Sequence, residues 1–259
     1  MIKNIILKIR PAFLSIFLIN LFYGNSLNRR KVVKLKKYGI KLFIDPFNFI
    51  GLLLNDQKIY EYKITNYILK NLKKNSIFFD IGCNEGYYSV LASKKNYLGK
   101  TYSFEPVKSL IKIIKKNLSL NNIKNCKIYN FAIGDKNKSS TINLYHELNE
   151  GSSSIVYKYK YSNKIQKIII KSLDNFYKKK RFNFKIDLIK IDVEGYELKV
   201  LDGMMNLING RKINKILVEY HFNIISKNEL KIIENKIISS GYKKKFIDKD
   251  CFAFELNKK

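Results

Sequence analysis

A stretch of fourteen residues, 76–89, carries side chains well suited to holding a ligand. Its sequence S-I-F-F-D-I-G-C-N-E-G-Y-Y-S places Asp80 after an apolar run, and Gly82 and Gly86 follow shortly after it. The apolar run predicts a buried strand and residues 87–95 predict a helix, so the glycines lie in the loop that joins them. In an open α/β sheet, such a loop at the carboxyl end of a strand is a common binding place for nucleotide-like ligands.

The spacing of the glycines narrows the class of ligand. A dinucleotide fingerprint reads G-x-G-x-x-G, but here Asn84 stands where the middle glycine lets the backbone approach a pyrophosphate. A ligand without a diphosphate does not need that glycine. An amino-acid carboxylate and ammonium suit a helix N-terminus and an acidic side chain such as Asp80, and S-adenosylmethionine (SAM) carries both groups. A structural turn that binds nothing is the alternative for the loop alone.

The next predicted strand favours the ligand interpretation. Residues 100–104, K-T-Y-S-F, end at Glu105, which lies 25 residues after Asp80. An acidic residue about 20 residues beyond a glycine loop is where a ribose diol is held, because one carboxylate can accept from both hydroxyls. We therefore predict a SAM site that uses Glu105 at its nucleoside end.

A third strand is predicted over residues 126–133, C-K-I-Y-N-F-A-I, before Gly134. In a doubly wound sheet its tip would lie beside the adenine, so Ala132 is a further candidate for cofactor binding. An ordinary strand end is the equal alternative.

A second group of candidate residues follows two later strands. Residues 187–193, D-L-I-K-I-D-V, predict a buried strand that ends with Asp192 and Glu194, and residues 215–221, K-I-L-V-E-Y-H, predict the next strand, which ends at His221. The carboxyl ends of parallel strands share one edge of the sheet, so these side chains should face the cofactor. The alternatives are that Asp192 caps the following helix and that His221 is structural.

Several further elements must position these residues. The polar residues 150–154 are either a flexible loop or a lid over the site. The remaining predicted elements are a hairpin over 32–45 turning at Tyr38-Gly39, helices over 59–72, 109–120, 196–207 and 227–239, added strands over 141–145 and 167–171, and a closing hairpin over 242–256.

The charge of the chain raises a nucleic-acid alternative. Lys and Arg number 50 against 21 Asp and Glu, which gives a formal net charge of +29. Only five of the basic residues are arginine, the side chain that reads bases and grips phosphates in a fork, and lysine is spread over the whole chain. We therefore expect no nucleic-acid binding and keep a nucleic-acid methyltransferase as the alternative function. The three cysteines form no metal-binding spacing, which favours a reduced, cytoplasmic protein.

The N-terminal residues 1–24 begin basic and continue apolar. They predict a helix packed on the domain, with peripheral membrane contact as the main alternative and export as a weaker one. We assign residues 1–57 to an N-terminal helix and hairpin extension and residues 58–259 to the enzymatic domain.

The strand ends D-I-G-C-N-E-G, F-E-P, A-I-G-D, S-L-D, K-I-D-V-E-G-Y-E and V-E-Y-H, in this order, resemble the FkbM family of SAM-dependent methyltransferases. The resemblance covers roughly residues 73–246. It implies a seven-stranded, mostly parallel Rossmann-like sheet with helices on both faces, here followed by a C-terminal antiparallel hairpin. It also implies methyl transfer to a hydroxyl of a sugar, glycan or other secondary metabolite.

The resemblance assigns roles to the candidate residues. Those that match the methionine-binding loop and the ribose carboxylate are Asp80, Gly82, Asn84, Gly86 and Glu105. Asp192 and Glu194 match the acidic pair that faces the acceptor. We expect Asp192 or His221 to be the base that takes the acceptor proton, and Glu194 to orient that base or to bind the substrate. A divalent metal held by Asp192 and Glu219 is the variant of this mechanism, but these two carboxylates and one histidine show no metal-specific spacing, so we assign no metal.

Overall fold

The computed structural model describes residues 18–19, 21–25, 27–56, 59–145, 151–158 and 164–257. Its strands are β1 Lys31–Leu35, β2 Ile40–Ile44, β3 Ile77–Ile81, β4 Lys100–Phe104, β5 Cys126–Tyr129, β6 Ala132–Ile133, β7 Lys138–Asn143, β8 Ile165–Lys171, β9 Leu188–Ile191, β10 Lys215–Glu219, β11 Tyr242–Asp248 and β12 Cys251–Leu256. Its helices are α1 Phe49–Asp56, α2 Tyr62–Asn71, α3 Tyr87–Lys95, α4 Lys108–Leu120, α5 Leu173–Lys179, α6 Glu197–Asp202, α7 Met205–Asn209 and α8 Lys227–Ser239.

The central sheet has seven strands in the order β11-β12-β10-β9-β3-β4-β5. The five strands from β10 to β5 are parallel, whereas β12 pairs antiparallel with β10 and β11 pairs antiparallel with β12. Asp80 is in register with Ser103, so Glu105 follows β4 on the same edge of the sheet as the loop after β3. This confirms the predicted fold class, the mostly parallel sheet and the C-terminal hairpin.

Apolar side chains cover both faces of this sheet because successive residues of a strand point to opposite sides. Phe78 belongs to a hydrophobic cluster that includes the β1–β2 hairpin, α2, α3 and α4. The next residue, Phe79, belongs to the cluster on the other face, with α5 to α8. The hairpin predicted over residues 32–45 is confirmed, and it shares a core with the sheet.

The single strand predicted over residues 126–133 was wrong. It divides into β5, in the central sheet, and β6, which pairs with β8 in a separate three-stranded sheet. Between them, the side-chain amide of Asn130 donates to the carbonyl oxygens of Glu105 and Pro106 at 2.9 and 3.0 Å. These hydrogen bonds turn the chain off the sheet, although the residues on either side are typical strand formers.

The single helix predicted over residues 196–207 was also wrong, because the chain forms α6 and α7 with a break between them. Gly203 lies in the break and packs on the backbone of Gly134, where a Cβ atom at Gly203 would be 1.8 Å from the Gly134 carbonyl oxygen. The carbonyl of Gly203 accepts a hydrogen bond from the backbone of Asp174 at 3.0 Å instead of continuing a helix.

Most of the N-terminal segment 1–24, including residues 1–17, lies outside the described residues, so its predicted helix and membrane contact stay predictions. Among the helices that the structure describes, none has both the length and the apolar character needed to cross a membrane.

Candidate active site

A cleft opens where β3, β4, β9 and β10 end, and both groups of candidate residues meet in it. Its cavity volume is about 240 Å³, and it is open to solvent. The candidate residues that line it are Gly82, Asn84, Glu105, Ala132, Asp192, Glu194 and His221. We call the part lined by Glu105 and Ala132 the cofactor end and the part lined by Asp192, Glu194 and His221 the acceptor end. Both ends lie within one cavity.

Glu105 is held rigidly at the cofactor end. Its Oε2 accepts from the backbone N–H of Asn84 and its Oε1 from that of Val107, both at 2.9 Å. Burial raises the pKa of Glu105 to about 7, against the lowering effect of these two hydrogen bonds. A carboxylate has about four acceptor positions. Each oxygen therefore retains one position, which suits a pair of adjacent hydroxyls.

Asp80 and Gly86 do not line the cleft. Asp80 is fully buried below the loop, where its Oδ2 accepts from the hydroxyl of Ser89 at 2.6 Å and its Oδ1 has no partner among the described residues. Burial raises the pKa of Asp80, with Lys190 opposing the shift. Gly86 has a φ of 84° and starts α3 against Ile114. Cofactor contacts by these two residues therefore stay predictions.

Gly82 brings the two ends of the cleft together. Its φ is 77°, and a Cβ atom there would lie 1.8 Å from the carbonyl oxygen of Asp192. The loop after β3 can cross so close to the end of β9 only without a side chain, so any other residue here would push the cofactor end away from the acceptor end.

Asp192 lies beside a buried lysine at the acceptor end. The Nζ atom of Lys190 is 2.8 Å from Asp192 Oδ2, and it also lies over the ring of Tyr88 at 4.9 Å. Burial would lower the pKa of Lys190, but Asp192 and the nearby acids outweigh it and raise it. Burial would raise the pKa of Asp192, but Lys190 and His221 outweigh it and lower it, so Asp192 is ionised at neutral pH.

His221 contacts a carboxylate through each ring nitrogen. Its Nδ1 is 2.9 Å from Glu197 Oε1, and its Nε2 is 3.2 Å from Glu194 Oε2. Burial would lower the pKa of His221, but these two acids and Asp192 raise it to about 11. The imidazole therefore carries a proton at neutral pH and cannot accept another, which leaves Asp192 as the better placed base.

Sequence reasoning missed Glu197, which fixes His221. Glu197 is fully buried, and its Oε1 also accepts from the backbone N–H groups of Val193 and Gly195 at 3.2 and 3.0 Å. In the sequence, Glu197 is the second glutamate of E-G-Y-E. An acidic residue in the first turn of a helix is common and by itself indicates no function. Only the three-dimensional approach of β10 reveals its partner.

Asp192, Glu194 and His221 also offer atoms that a cation could bind. Their ligand atoms all lie within 4.8 Å of one another. Methyl transfer should therefore be measured both with and without divalent cations.

The other missed residues come from the N-terminal part of the chain. The residues from this part that line the same cleft are Phe49, Ile50, Tyr60 and Glu61. Tyr60 and Glu61 lie near enough to Asp192 to feel its charge. Glu61 adopts a φ of 42°, a backbone conformation that is costly for a residue with a side chain. Burial raises its pKa, with Lys190 opposing the shift.

The polar loop predicted as either flexible chain or lid does border the cleft. Gly151 lies so close to Asn84 that a Cβ atom would be 2.1 Å from its side-chain nitrogen. The hydroxyl of Ser154 donates to the carbonyl oxygen of Glu194 at 2.6 Å. The described part of this loop therefore touches both the cofactor end and the acceptor end.

Comparison with known proteins finds a matching family model and several similar proteins. A family model described as the methyltransferase FkbM domain matches residues 80–244. The hexuronic acid methyltransferase AglP of Haloferax volcanii is 23% identical over 201 residues, which cover 73% of this chain and 74% of that protein. The crystal structure of methyltransferase FkbM from Methylobacillus flagellatus aligns with a TM-score of 0.47 and 16% identity, covering 71% of this chain but only 44% of that chain. M. jannaschii TYW2 in complex with AdoMet aligns with a TM-score of 0.46 and 14% identity over 91% of this chain and 90% of that chain.

Proposed function

Since the chain belongs to the FkbM methyltransferase family, we propose that it transfers a methyl group from SAM to a hydroxyl oxygen of a sugar, glycan or other secondary metabolite. The observation that carries this proposal is the cleft itself, in which Glu105 and the group Asp192, Glu194 and His221 line a single cavity. A donor and an acceptor bound at these two places would lie side by side.

The residues at the cofactor end fit SAM. Glu105 offers one spare acceptor position on each oxygen to a ribose diol, and Ala132 and Ile133 provide an apolar wall for an adenine. When bound, SAM supplies a methyl group whose bond to a positively charged sulfur breaks as the bond to the acceptor oxygen forms.

The residues at the acceptor end fit the removal of a hydroxyl proton. An alcohol becomes a good nucleophile only as its proton leaves, and a positioned base accelerates such a step by roughly 10²–10⁴-fold. Asp192 is ionised and its Oδ2 is fixed by Lys190, so we assign it as the acceptor of this proton. Glu194, whose Oε2 is held by the protonated His221, accepts hydrogen bonds from the hydroxyls next to the one that is methylated.

The test is to incubate the purified protein with SAM carrying a ¹³C-labelled methyl group and a panel of sugars, glycans and phenolic glycosides, with EDTA or with added Mg²⁺ or Mn²⁺. We expect a new O-methyl resonance near that of methyl ethers and one S-adenosylhomocysteine per methyl group transferred. Transfer to nitrogen, or SAM binding without transfer to any hydroxyl in the panel, would refute the O-methyl assignment.

A further inference from the structure

A histidine and two carboxylates converge at the acceptor end of the cleft. Asp192, Glu194 and His221 each offer one ligand atom, and these atoms all lie within 4.8 Å of one another. Spacing in the sequence does not reveal this group, because its members follow two different strands, β9 and β10. We propose that the three side chains bind one divalent transition-metal cation such as Mn²⁺. This inference goes beyond the proposed methyl transfer and is tested without donor or acceptor.

The donor set favours a transition metal over Mg²⁺ or Ca²⁺. Two carboxylates supply oxygen atoms, which Mn²⁺ accepts as readily as the harder cations do. The third ligand, the imidazole of His221, is a nitrogen donor that Mg²⁺ and Ca²⁺ do not prefer, because both take sets of oxygen atoms.

The spacing between His221 and Glu194 matches two neighbouring positions around an octahedral ion. Nε2 of His221 is 3.2 Å from Oε2 of Glu194. An octahedral ion with bonds of about 2.1 Å holds adjacent ligand atoms about 3 Å apart. The cation therefore fits between these two atoms without a large movement of either side chain. The proton that Nε2 otherwise carries leaves to solvent when the cation binds.

A fully buried carboxylate outside the ligand group orients the histidine. Oε1 of Glu197 is 2.9 Å from Nδ1 of His221, so Nδ1 donates to it and Nε2 is directed to Glu194. Metal-binding histidines almost always donate their second ring nitrogen to a carboxylate or a carbonyl in this way. The same oxygen accepts from the backbone N–H of Gly195 at 3.0 Å. Glu197 thus fixes both His221 and the turn that carries Glu194.

Glu219 gives an independent indication that this part of the cleft receives a polar ligand. It lines the cleft, and its Oε2 is buried without a hydrogen-bond partner among the described residues. It also lies near enough to Asp192 to feel its charge. A buried polar atom without a partner destabilises the folded state. A water molecule coordinated to the cation would supply the missing hydrogen bond.

The charges around the group suit a doubly charged cation. Asp192 and Glu194 provide two carboxylates, and Glu197 adds a third behind His221. The Nζ atom of Lys190, 2.8 Å from Asp192 Oδ2, offsets one of them. Burial raises the pKa values of the two other glutamates that line the cleft near Asp192, so they are not counted. With a neutral imidazole, two negative charges remain for the cation.

The contact with Lys190 leaves Asp192 free to serve the cation as well. A carboxylate has about four acceptor positions, so Asp192 can contact Lys190 and the cation and still accept a proton. Three protein atoms leave three positions of an octahedral ion open, and an acceptor hydroxyl would bind at one of them. A bound cation lowers the pKa of the water or hydroxyl that coordinates it, which would ease proton transfer to Asp192.

The experiment measures binding of Mn²⁺ alone to the full chain, after treatment with EDTA and exchange into metal-free buffer. Electron paramagnetic resonance of free Mn²⁺ gives the amount bound, and NMR of ¹⁵N-labelled histidine follows the imidazole of His221. We expect one Mn²⁺ per chain, bound at least roughly tenfold more tightly than Mg²⁺. The bound paramagnetic ion should broaden the imidazole signals of His221.

Three substitutions test the assigned contacts. Glu194→Gln and His221→Gln should each weaken Mn²⁺ binding at least roughly tenfold, because each removes a ligand. Glu197→Gln should weaken it about 10- to 100-fold through the orientation of His221. The control is Glu229→Gln, because Glu229 is exposed on α8 and does not line the cleft. The same substitution there should leave Mn²⁺ binding unchanged.

Mn²⁺ binding that is equal in the wild type, Glu194→Gln and His221→Gln, each with its Tm preserved, would overturn the inference. So would displacement of Mn²⁺ by an equal concentration of Mg²⁺, or Mn²⁺ binding that leaves the His221 signals sharp. The last measurement uses the wild type and is decisive even where a variant does not fold. None of these results affects the proposed methyl transfer, whereas failure to bind S-adenosylhomocysteine would overturn that function and leave the cation site intact.

Discussion

Replacing Glu105 by glutamine separates the role of its charge from the role of its shape. Both carboxylate oxygens of Glu105 accept backbone N–H groups and line the cleft. Glutamine keeps one accepting oxygen but turns its –NH₂ group toward one of those N–H groups and toward one hydroxyl of the bound ribose. The variant should therefore fold, yet bind SAM weakly.

The size of the effect follows from the hydrogen bonds that are lost. A hydrogen bond to a charged group contributes about 1.5–3 kcal/mol, so losing one weakens SAM binding roughly 10- to 150-fold. Burial raises the pKa of Glu105 to about 7, and the ionised form is the one that accepts from both hydroxyls. Affinity should consequently rise with pH up to about 7 and then level off, with a loss of about 30-fold at pH 5.5 relative to pH 8.

The same raised pKa makes the stability of the free protein fall as pH rises, whereas SAM affinity rises. Because the folded pKa lies above the usual value of 4.5, the free protein loses stability as pH rises from about 4.5 through about 7. Glutamine removes this cost, which is about 3 kcal/mol at most, but adds a repulsive N–H contact worth about 1–3 kcal/mol. The two effects offset each other, so we expect little change in the Tm of the unliganded variant at pH 8.

The assay is calorimetric titration of SAM into the wild type and Glu105→Gln at several pH values, with Tm measured on the same samples. The wild-type affinity should follow the Glu105 pKa, and the variant should be weaker and nearly independent of pH across this range. A variant that binds SAM as tightly as the wild type, with its Tm preserved, would refute the assignment of Glu105 to the ribose.

Three further outcomes follow from the buried contacts of the site. Asp192→Asn should reduce methyl transfer at least roughly 100-fold with unchanged SAM affinity, measured as turnover and Kd, because the amide cannot take the acceptor proton. Glu197→Gln should lower the pKa of His221, which ¹⁵N NMR of the imidazole should report as deprotonation at a lower pH than in the wild type, since burial then meets less opposing charge. Arg30→Met should destabilise the protein by about 3–5 kcal/mol, measured by denaturant unfolding, because it leaves the buried Glu85 without its cation.

The sequence was informative where a short segment defines both an element and its end. A strand, two glycines and a helix in one stretch predicted the loop after β3, and the acidic residue after the next strand predicted Glu105. Parallel strands end at one edge, so Asp192, Glu194 and His221 could be placed with them before any contact was known. These residues do line one cleft.

The missed features depend on contacts between distant segments. Glu197 meets His221 only because α6 and β10 lie together, and Glu61 reaches the cleft through a positive φ that no local pattern predicts. The break between β5 and β6 comes from the hydrogen bonds of Asn130 rather than from strand propensity. In each case tertiary contacts override or complete what local sequence indicates.

The most direct test of the account is the structure of the protein crystallised with S-adenosylhomocysteine. Both ribose hydroxyls should lie at hydrogen-bonding distance, about 2.5–3.0 Å, from the two oxygens of Glu105, and the sulfur should be directed toward Asp192. A nucleoside bound away from Glu105, or a sulfur separated from Asp192 by packed side chains, would contradict it.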